Sequence, residues 1–294
     1  MNGVLGTFYG PSKVGKTVCT GAAGACGLFI ARGGGLLSIQ HFLGLKKLNV
    51  KSAATVEEAA KIVESAAGKQ PTIVIDDFSL LVEETILQLE KKHSFGEMWR
   101  ALRRQVLHMR DTARAATEKG THVFFNCHES PPRTSSGKFV RGGPALPGQL
   151  PEQFSAFMDV VARVVFEETA APWKFVLNTV SDSQSIGGDR LAIFPPQSPM
   201  NLAEALRAAG YDLPRPKELA WQEKVVEGLS TKIQESGLEK WKEVLKPASA
   251  QLGGKYPPAH VRWAIEDSLH RAIFHASKNN FIDALFREQE EDSW

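Results

Sequence analysis

The sequence predicts an α/β fold: a mostly parallel sheet with helices on both faces, followed by a small C-terminal helical region. Three observations predict it. Short apolar runs rich in branched and aromatic residues alternate with longer helical stripes. One of these runs, Val4 to Tyr9, leads into a glycine-containing loop that opens a helix. Another, Thr72 to Ile75, ends in two carboxylates, Asp76 and Asp77. Strands alternating with helices build a parallel sheet, whose carboxyl ends open onto a ligand crevice.

The loop is Gly10-Pro11-Ser12-Lys13-Val14-Gly15-Lys16-Thr17, which matches the Walker A (P-loop) pattern G-x-x-x-x-G-K-[ST] at every fixed position. Its glycines let the backbone wrap a phosphate. Its N–H groups point inward, with the positive end of a helix dipole behind them. Gly10 through Val18 form the expected cradle for ATP. Lys16 is expected to reach the β- and γ-phosphates, and the Thr17 hydroxyl to ligate Mg²⁺. Lys16 to Ile30 reads as the following helix, weakened by Gly21, Gly24 and Gly27.

After Gly33-Gly34-Gly35, Leu36 to Ile39 reads as a short buried strand. Thr55 to Glu58 has capping-box spacing and opens a helix whose stripe is Ala59, Ile62, Val63 and Ala66. Thr72 to Asp77 follows Pro71 and reads as a central strand, apolar on both faces. A carboxylate at its end can hold Mg²⁺ beside the phosphate loop, and Asp76 is the candidate. The bland alternative is that both aspartates cap the helix beginning near Ser79.

Ser79 to His93 and Gly96 to Lys119 read as helices. On the second, Met98, Leu102, Val106, Met109, Ala113 and Ala116 form the apolar stripe. Arg100, Arg103, Arg104, His108, Arg110 and Arg114 lie largely off it, as a phosphate-tracking face or a solvated one. Thr121 to Glu129 is a strand with a polar end. Asn126 and His128 stand there as candidate γ-phosphate sensors, or as polar residues satisfied by backbone. Ser130 to Gln149 is punctuated by prolines and glycines and reads as a long loop carrying Arg133, Lys138 and Arg141.

Asp159 to Glu167 and Trp173 to Thr179 read as strands joined by a turn at Ala170-Ala171-Pro172, extending the sheet antiparallel at one edge. Leu191 to Phe194 reads as a further strand. Asn201 to Ala209 reads as a helix stopped by Gly210, and Leu213 to Pro216 as a stiff linker. Residues 1–212 are thus read as the core and 217–294 as a helical domain or arm. Its helices are expected near 219–235, 238–250, 258–276 and 279–290, with Pro247 breaking or kinking the second. The acidic tail from Glu288 to Trp294 reads as a solvated end.

Composition bounds the answer. The 294 residues suffice for one large domain, or one domain and a smaller one. Hydrophobic content of 43% and charged content of 23% are ordinary globular usage. A formal net charge of +2 exerts no global pull on nucleic acid, so any such binding needs a local patch. Cys19, Cys26 and Cys127 lack metal-ligand spacing and read as reduced thiols in the cytoplasm. The first strand begins almost at once, which argues against a signal peptide. No apolar run approaches the ~20 residues that span a bilayer.

In order, the motifs are the phosphate loop, Ile73 to Asp77, Phe124 to Glu129, Gly143 to Leu150, Asp159 and Asp189-Arg190. This series resembles the phage-type RecA-like P-loop ATPases, some of which are single-strand recombinases or annealing proteins. The resemblance covers roughly residues 3–195. It implies a RecA-like core and a Mg²⁺-dependent ATPase. Such an enzyme would act as a homo-oligomer on single-stranded DNA, in phage recombination or replication in the host cytoplasm.

Carried onto this chain, the resemblance makes Lys16 and Thr17 the ATP and Mg²⁺ residues, Asp76 the acidic metal residue and His128 the sensor. Arg133, Lys138 and Arg141 become phosphate-backbone contacts. Arg190 and Arg141 are candidates to complete a neighbouring subunit's site. One position departs from the pattern. Relatives place a carboxylate just after the strand read here at Leu36 to Ile39, where this chain has Gln40, which cannot take a proton. Either Asp77 activates water or turnover is slow. Slow turnover would suit a nucleotide-gated assembly or scaffold factor.

Overall fold

A computed structural model describes residues 2–31, 36–45, 47–135, 137–166, 175–195 and 197–291. Strand β1 (Leu5–Gly10) runs into the phosphate loop and α1 (Lys16–Gly24). Then follow β2 (Leu28–Ala31), α2 (Leu37–Leu43), β3 (Val50–Lys51), α3 (Val56–Ala66) and β4 (Thr72–Asp76). Helices α4 (Phe78–Glu90) and α5 (Phe95–Glu118) lead to β5 (His122–Ser130). A small hairpin, β6 (Arg133–Ser135) and β7 (Lys138–Val140), precedes β8 (Gly143–Pro144) and α6 (Leu150–Ser155). The sheet is completed by β9 (Val160–Phe166), β10 (Phe175–Asn178), β11 (Gly188–Asp189) and β12 (Gln197–Pro199). Helices α7 (Leu202–Ala208), α8 (Gln222–Ser236), α9 (Trp241–Gly253) and α10 (Pro258–Glu291) close the chain.

The sheet order is β12-β10-β9-β1-β5-β4-β2-β3. Strands β9, β1, β5, β4, β2 and β3 pair parallel, and β10 and β12 add an antiparallel edge. Successive side chains alternate between two cores, as a two-sided sheet requires. Leu5, Tyr9, Ile73, Ile75, Val123 and Phe125 face a core made with α3, α4, α5 and α6. Val4, Phe8, Val74 and Phe124 face a second core that takes in Cys19, Ile39, Leu202, Leu206, Trp263 and Phe274. Helix α10 thus packs on the same layer as α1, α2 and α7.

Several sequence expectations are corrected. The first helix ends at Gly24, and Leu28–Ala31 is a strand between β4 and β3. Gly27 makes this possible, because a Cβ there would sit 2.1 Å from the Thr72 carbonyl oxygen. Leu36 to Ile39 is not a strand but the start of α2, burying Leu36, Ile39 and Leu43 at helical spacing. A short apolar run is ambiguous between the two until the sheet position is filled. Gln40 is exposed on that helix and stands at no strand end. Gly33 to Gly35 and the turn at Ala170 to Pro172 lie outside the described residues.

Ser130 to Gln149 is not a bare loop, since it contains β6, β7 and β8. Leu191 to Phe194 is a turn, folded around Asp189, whose carboxylate accepts the Leu191 and Phe194 N–H groups at 3.1 and 2.6 Å. Leu213 to Pro216 is packed rather than free, with Leu213 buried and the Arg215 side chain only 6% exposed. Pro247 lies inside α9 without ending it. The last two expected helices are one, α10.

Candidate functional site

Parallel register brings the sequence motifs together. Gly10 on β1 lies opposite His128 on β5, and Ile75 on β4 opposite Phe125. Asp76 and Asn126 are therefore neighbours at the carboxyl edge of the sheet, where ligands of open α/β sheets bind. The phosphate loop crosses the same edge. Gly15 turns it into α1 at φ +93°, a left-handed conformation that disfavours side chains.

Lys16 is buried, and its Nζ donates to the Gly10 and Pro11 carbonyls at 2.9 and 2.7 Å. Two of its three donors thus shape the loop, which leaves one for a phosphate oxygen. Burial pushes its ammonium below the ordinary lysine range, and Asp77 and Asp76 pull the other way. Thr17 Oγ1 donates to Asp76 Oδ2 at 2.8 Å. Asn126 Nδ2 donates to Asp76 Oδ1 at 3.1 Å and to Thr20 Oγ1 at 2.8 Å. Burial raises the Asp76 carboxyl, against the hydrogen bonds from Thr17 and Asn126.

Asp77 performs two jobs. Its Oδ1 caps α4, accepting from Ser79 N at 2.8 Å, so the capping alternative holds for this aspartate. Its Oδ2 lies 2.6 Å from His128 Nε2. His128 Nδ1 lies 3.3 Å from Ser12 Oγ on the loop, and the His128 N–H donates to Ser79 Oγ at 3.0 Å. Burial raises the Asp77 carboxyl; His128 lowers it and Asp76 raises it further. Asp76, in contrast, turns both its oxygens to side chains of the site, Thr17 and Asn126.

The residues fit a magnesium nucleotide. Thr17 and Asp76 are hard oxygen donors in contact, the number a Mg²⁺ ion takes from protein when it keeps waters and phosphates. The buried Asn126 Oδ1 has no hydrogen-bond partner among the described residues, and an acceptor there suits the water shell of such an ion. When bound, the ion would neutralise charge on the transferring phosphoryl group.

The chain matches a family model described as AAA domain over residues 3–191, more than half of its length. It belongs to that AAA-domain family of P-loop ATPases. Among solved structures it is similar to a KaiC-like protein, PH0186, from the hyperthermophilic archaeon Pyrococcus horikoshii OT3. Identity there is 16%, coverage is 60% of this chain and 78% of that one, and the TM-score is 0.37. No curated protein matches the chain.

In this ATPase the other predicted residues lie apart from the loop. Arg190 follows β11, which pairs with the beginning of β9, so it sits at the opposite end of the sheet and donates to the Ala156 carbonyl. It cannot reach its own chain's phosphate loop. Arg141 is held by Glu152 at 3.3 Å and by Ser181 at 3.2 Å. Arg133 and Lys138 belong to the β6–β7 hairpin, which also carries Phe139, about half exposed. On α5 the basic face divides. Arg114 pairs with Asp159 and Arg110 with Asp111, whereas Arg100, Arg104 and His108 line an open groove. No helix among the described residues is long and apolar enough to cross a membrane.

Ser12 was expected in the phosphate cradle, but its contact with His128 depends on the β1–β5 register. Two participants were not expected from the sequence. Thr20 lies one helical turn after Lys16, bonded to its carbonyl at 3.1 Å, which is a signal in hindsight. Arg163, paired with Glu129 at 2.8 Å, stands beside the site on β9 and carries no motif.

Proposed function

We propose that this protein binds and hydrolyses ATP with Mg²⁺ at the edge of the sheet and couples that cycle to single-stranded DNA. The observation that supports it best is the Asp77–His128–Ser12 chain beside the Thr17–Asp76 pair. Lys16 and the loop N–H groups hold the phosphates. Asp77 takes the proton of the attacking water. His128, between Asp77 and the loop, senses the γ-phosphate, with Asn126 orienting Asp76. Positioning and charge neutralisation supply most of the catalysis in such reactions.

The β6–β7 hairpin leaves the sheet just after the sensor strand and carries Arg133, Lys138 and Phe139. Basic residues and an exposed aromatic on one hairpin suit a single strand, by phosphate contact and base stacking. The phage recombination or replication setting, and an oligomer in which Arg190 reaches a neighbouring copy, belong to the same proposal. The test is the ATPase rate with and without single-stranded DNA across a salt series. Stimulation that fades with salt supports the reading.

One observation favours a second reading, a nucleotide-gated assembly factor with little turnover. The formal net charge is only +2, which exerts no global pull on a nucleic acid. ATP binding without DNA stimulation would select this reading.

A further inference from the structure

We propose that the cavity between the phosphate loop and the C-terminal helices is the seat of the purine nucleoside, making α9 and α10 part of the nucleotide site. This rests on the nucleotide reading above.

The cavity holds about 520 Å³, within the roughly 300–1,000 Å³ range of small-molecule sites. It is continuous with the cradle, because Gly15 and Val18 line it. A nucleotide with its phosphates on the loop N–H groups must place its ribose and base beyond the start of α1. Here that space is walled by Met200, Trp241, Leu245 and Leu269. Met200 lies against the loop itself, its Cε 3.6 Å from where a Gly15 Cβ would stand. Aromatic, thioether and aliphatic walls suit the flat face of a base.

Three polar side chains line the same cavity, Lys13 at its phosphate-loop side and Glu266 and His270 on α10. Asn201 Nδ2 lies 3.1 Å from His270 Nδ1, so the amide donates and the ring proton sits on Nε2. Burial pushes His270 down to about 4 and keeps the ring neutral. A carboxylate acceptor and an imidazole donor match the mixed donor and acceptor edge of a purine.

The walls are held in place. Arg262 donates to the Phe42 carbonyl at 3.0 Å, and His260 Nε2 lies 3.2 Å from the Gly44 carbonyl, tying α10 to α2. Arg271 and Asp267 on α10 bond to Glu204, Asn201 and Arg215 of the α7 region. A cavity between elements so tied is preformed rather than assembled on binding.

The experiment compares the Mg²⁺ complexes of ATP and tripolyphosphate, which lacks the nucleoside, by calorimetry on the full chain. Trp241→Ala is expected to weaken ATP about tenfold and leave tripolyphosphate unchanged, from the worth of one stacked base. Glu266→Gln, on an exposed residue whose change spares the fold, is expected to weaken ATP several-fold, again with tripolyphosphate unchanged. Lys16→Ala is expected to lose both. If both C-terminal variants bind ATP like the wild type while Lys16→Ala loses it, the nucleoside assignment falls and the phosphate site stands. A wild type that binds neither compound overturns the nucleotide reading and this inference with it.

Discussion

Asp77 Oδ2 and His128 Nε2 are 2.6 Å apart, and this contact joins the acidic strand β4 to the phosphate loop through the Ser12 side of the imidazole. It places a carboxylate with a raised pKa beside the phosphate loop. Asp77→Asn keeps an α4 cap, since asparagine caps as well as aspartate. Its expected effect is a loss of hydrolysis of about 10²–10⁴-fold, the range of general-base catalysis, with ATP affinity within about twofold. Single-turnover hydrolysis alongside equilibrium binding checks this. Unchanged turnover would remove Asp77 as the base.

The Thr17–Asp76 pair predicts a metal-specific defect. Thr17→Ala removes one hard donor and leaves the loop backbone intact. ATP affinity in Mg²⁺ is expected to fall about tenfold or more, as one ligand of a sparse site is removed. Affinity in excess chelator is expected to stay near the wild-type value. Equal losses in both conditions would mean that Thr17 acts on the loop and not on the metal.

The hairpin predicts a salt signature. Arg133→Glu together with Lys138→Glu is expected to weaken single-strand binding and flatten its salt slope by about one to two units, roughly one for each phosphate that the hairpin no longer neutralises. Arg141→Glu is expected to change little, because Glu152 and Ser181 already hold that side chain. A titration of binding against salt distinguishes the two. Loss confined to variants of Arg100 and Arg104 would move the DNA face to α5.

Glu204 predicts a stability effect far from the nucleotide. It is fully buried and accepts from Arg207, Arg215 and Arg271 at 2.5, 2.7 and 2.6 Å. Burial works to raise its carboxyl, but the three guanidinium charges outweigh it and hold it below the usual range. Removing one partner of a buried ion network leaves uncompensated charge, so Glu204→Gln is expected to cost about 3–5 kcal/mol. The denaturant midpoint reads this. At the network's rim, burial opposes but Arg271 and Arg215 bring Glu223 down to about 2. Its contribution is full above the normal glutamate range and is lost as pH falls from about 4.5 towards 2.

His122 predicts a second acid-side slope. Its Nδ1 accepts the Val4 N–H at 3.1 Å, and burial lowers it from 6.5 to about 4. The unfolded chain therefore binds a proton that the folded chain refuses between those values. Stability is expected to fall as pH drops from about 6.5 to 4, by up to ~3 kcal/mol at ~1.36 kcal/mol per unit. His122→Asn keeps an acceptor near Val4 and removes the titration. Its unfolding curve is expected to be flatter over that interval.

The sequence by itself determined the chemistry at the ends of three strands. A glycine-flanked lysine and threonine, two aspartates closing an apolar run, and a strand ending in Asn126 and His128 are local patterns that need no distant information. Residues at strand ends are also where a parallel sheet places ligands, so their convergence followed from the fold class. The tertiary structure decided what depends on pairing and packing. Leu28–Ala31 and Leu36–Ile39 are both short apolar runs, and only a position between β4 and β3 made the first a strand and the second a helix. Arg141 and Arg190 were equivalent in sequence to any exposed arginine until Glu152 and the Ala156 carbonyl claimed them. Leu213 to Pro216 looked like a linker because proline spacing reports stiffness and not burial. The buried Arg215–Asp267–Glu204 network joins charges far apart in the chain, and no local period encodes it. That network seats α10 against the core and thereby puts Glu266 on the cavity wall beside the phosphate loop.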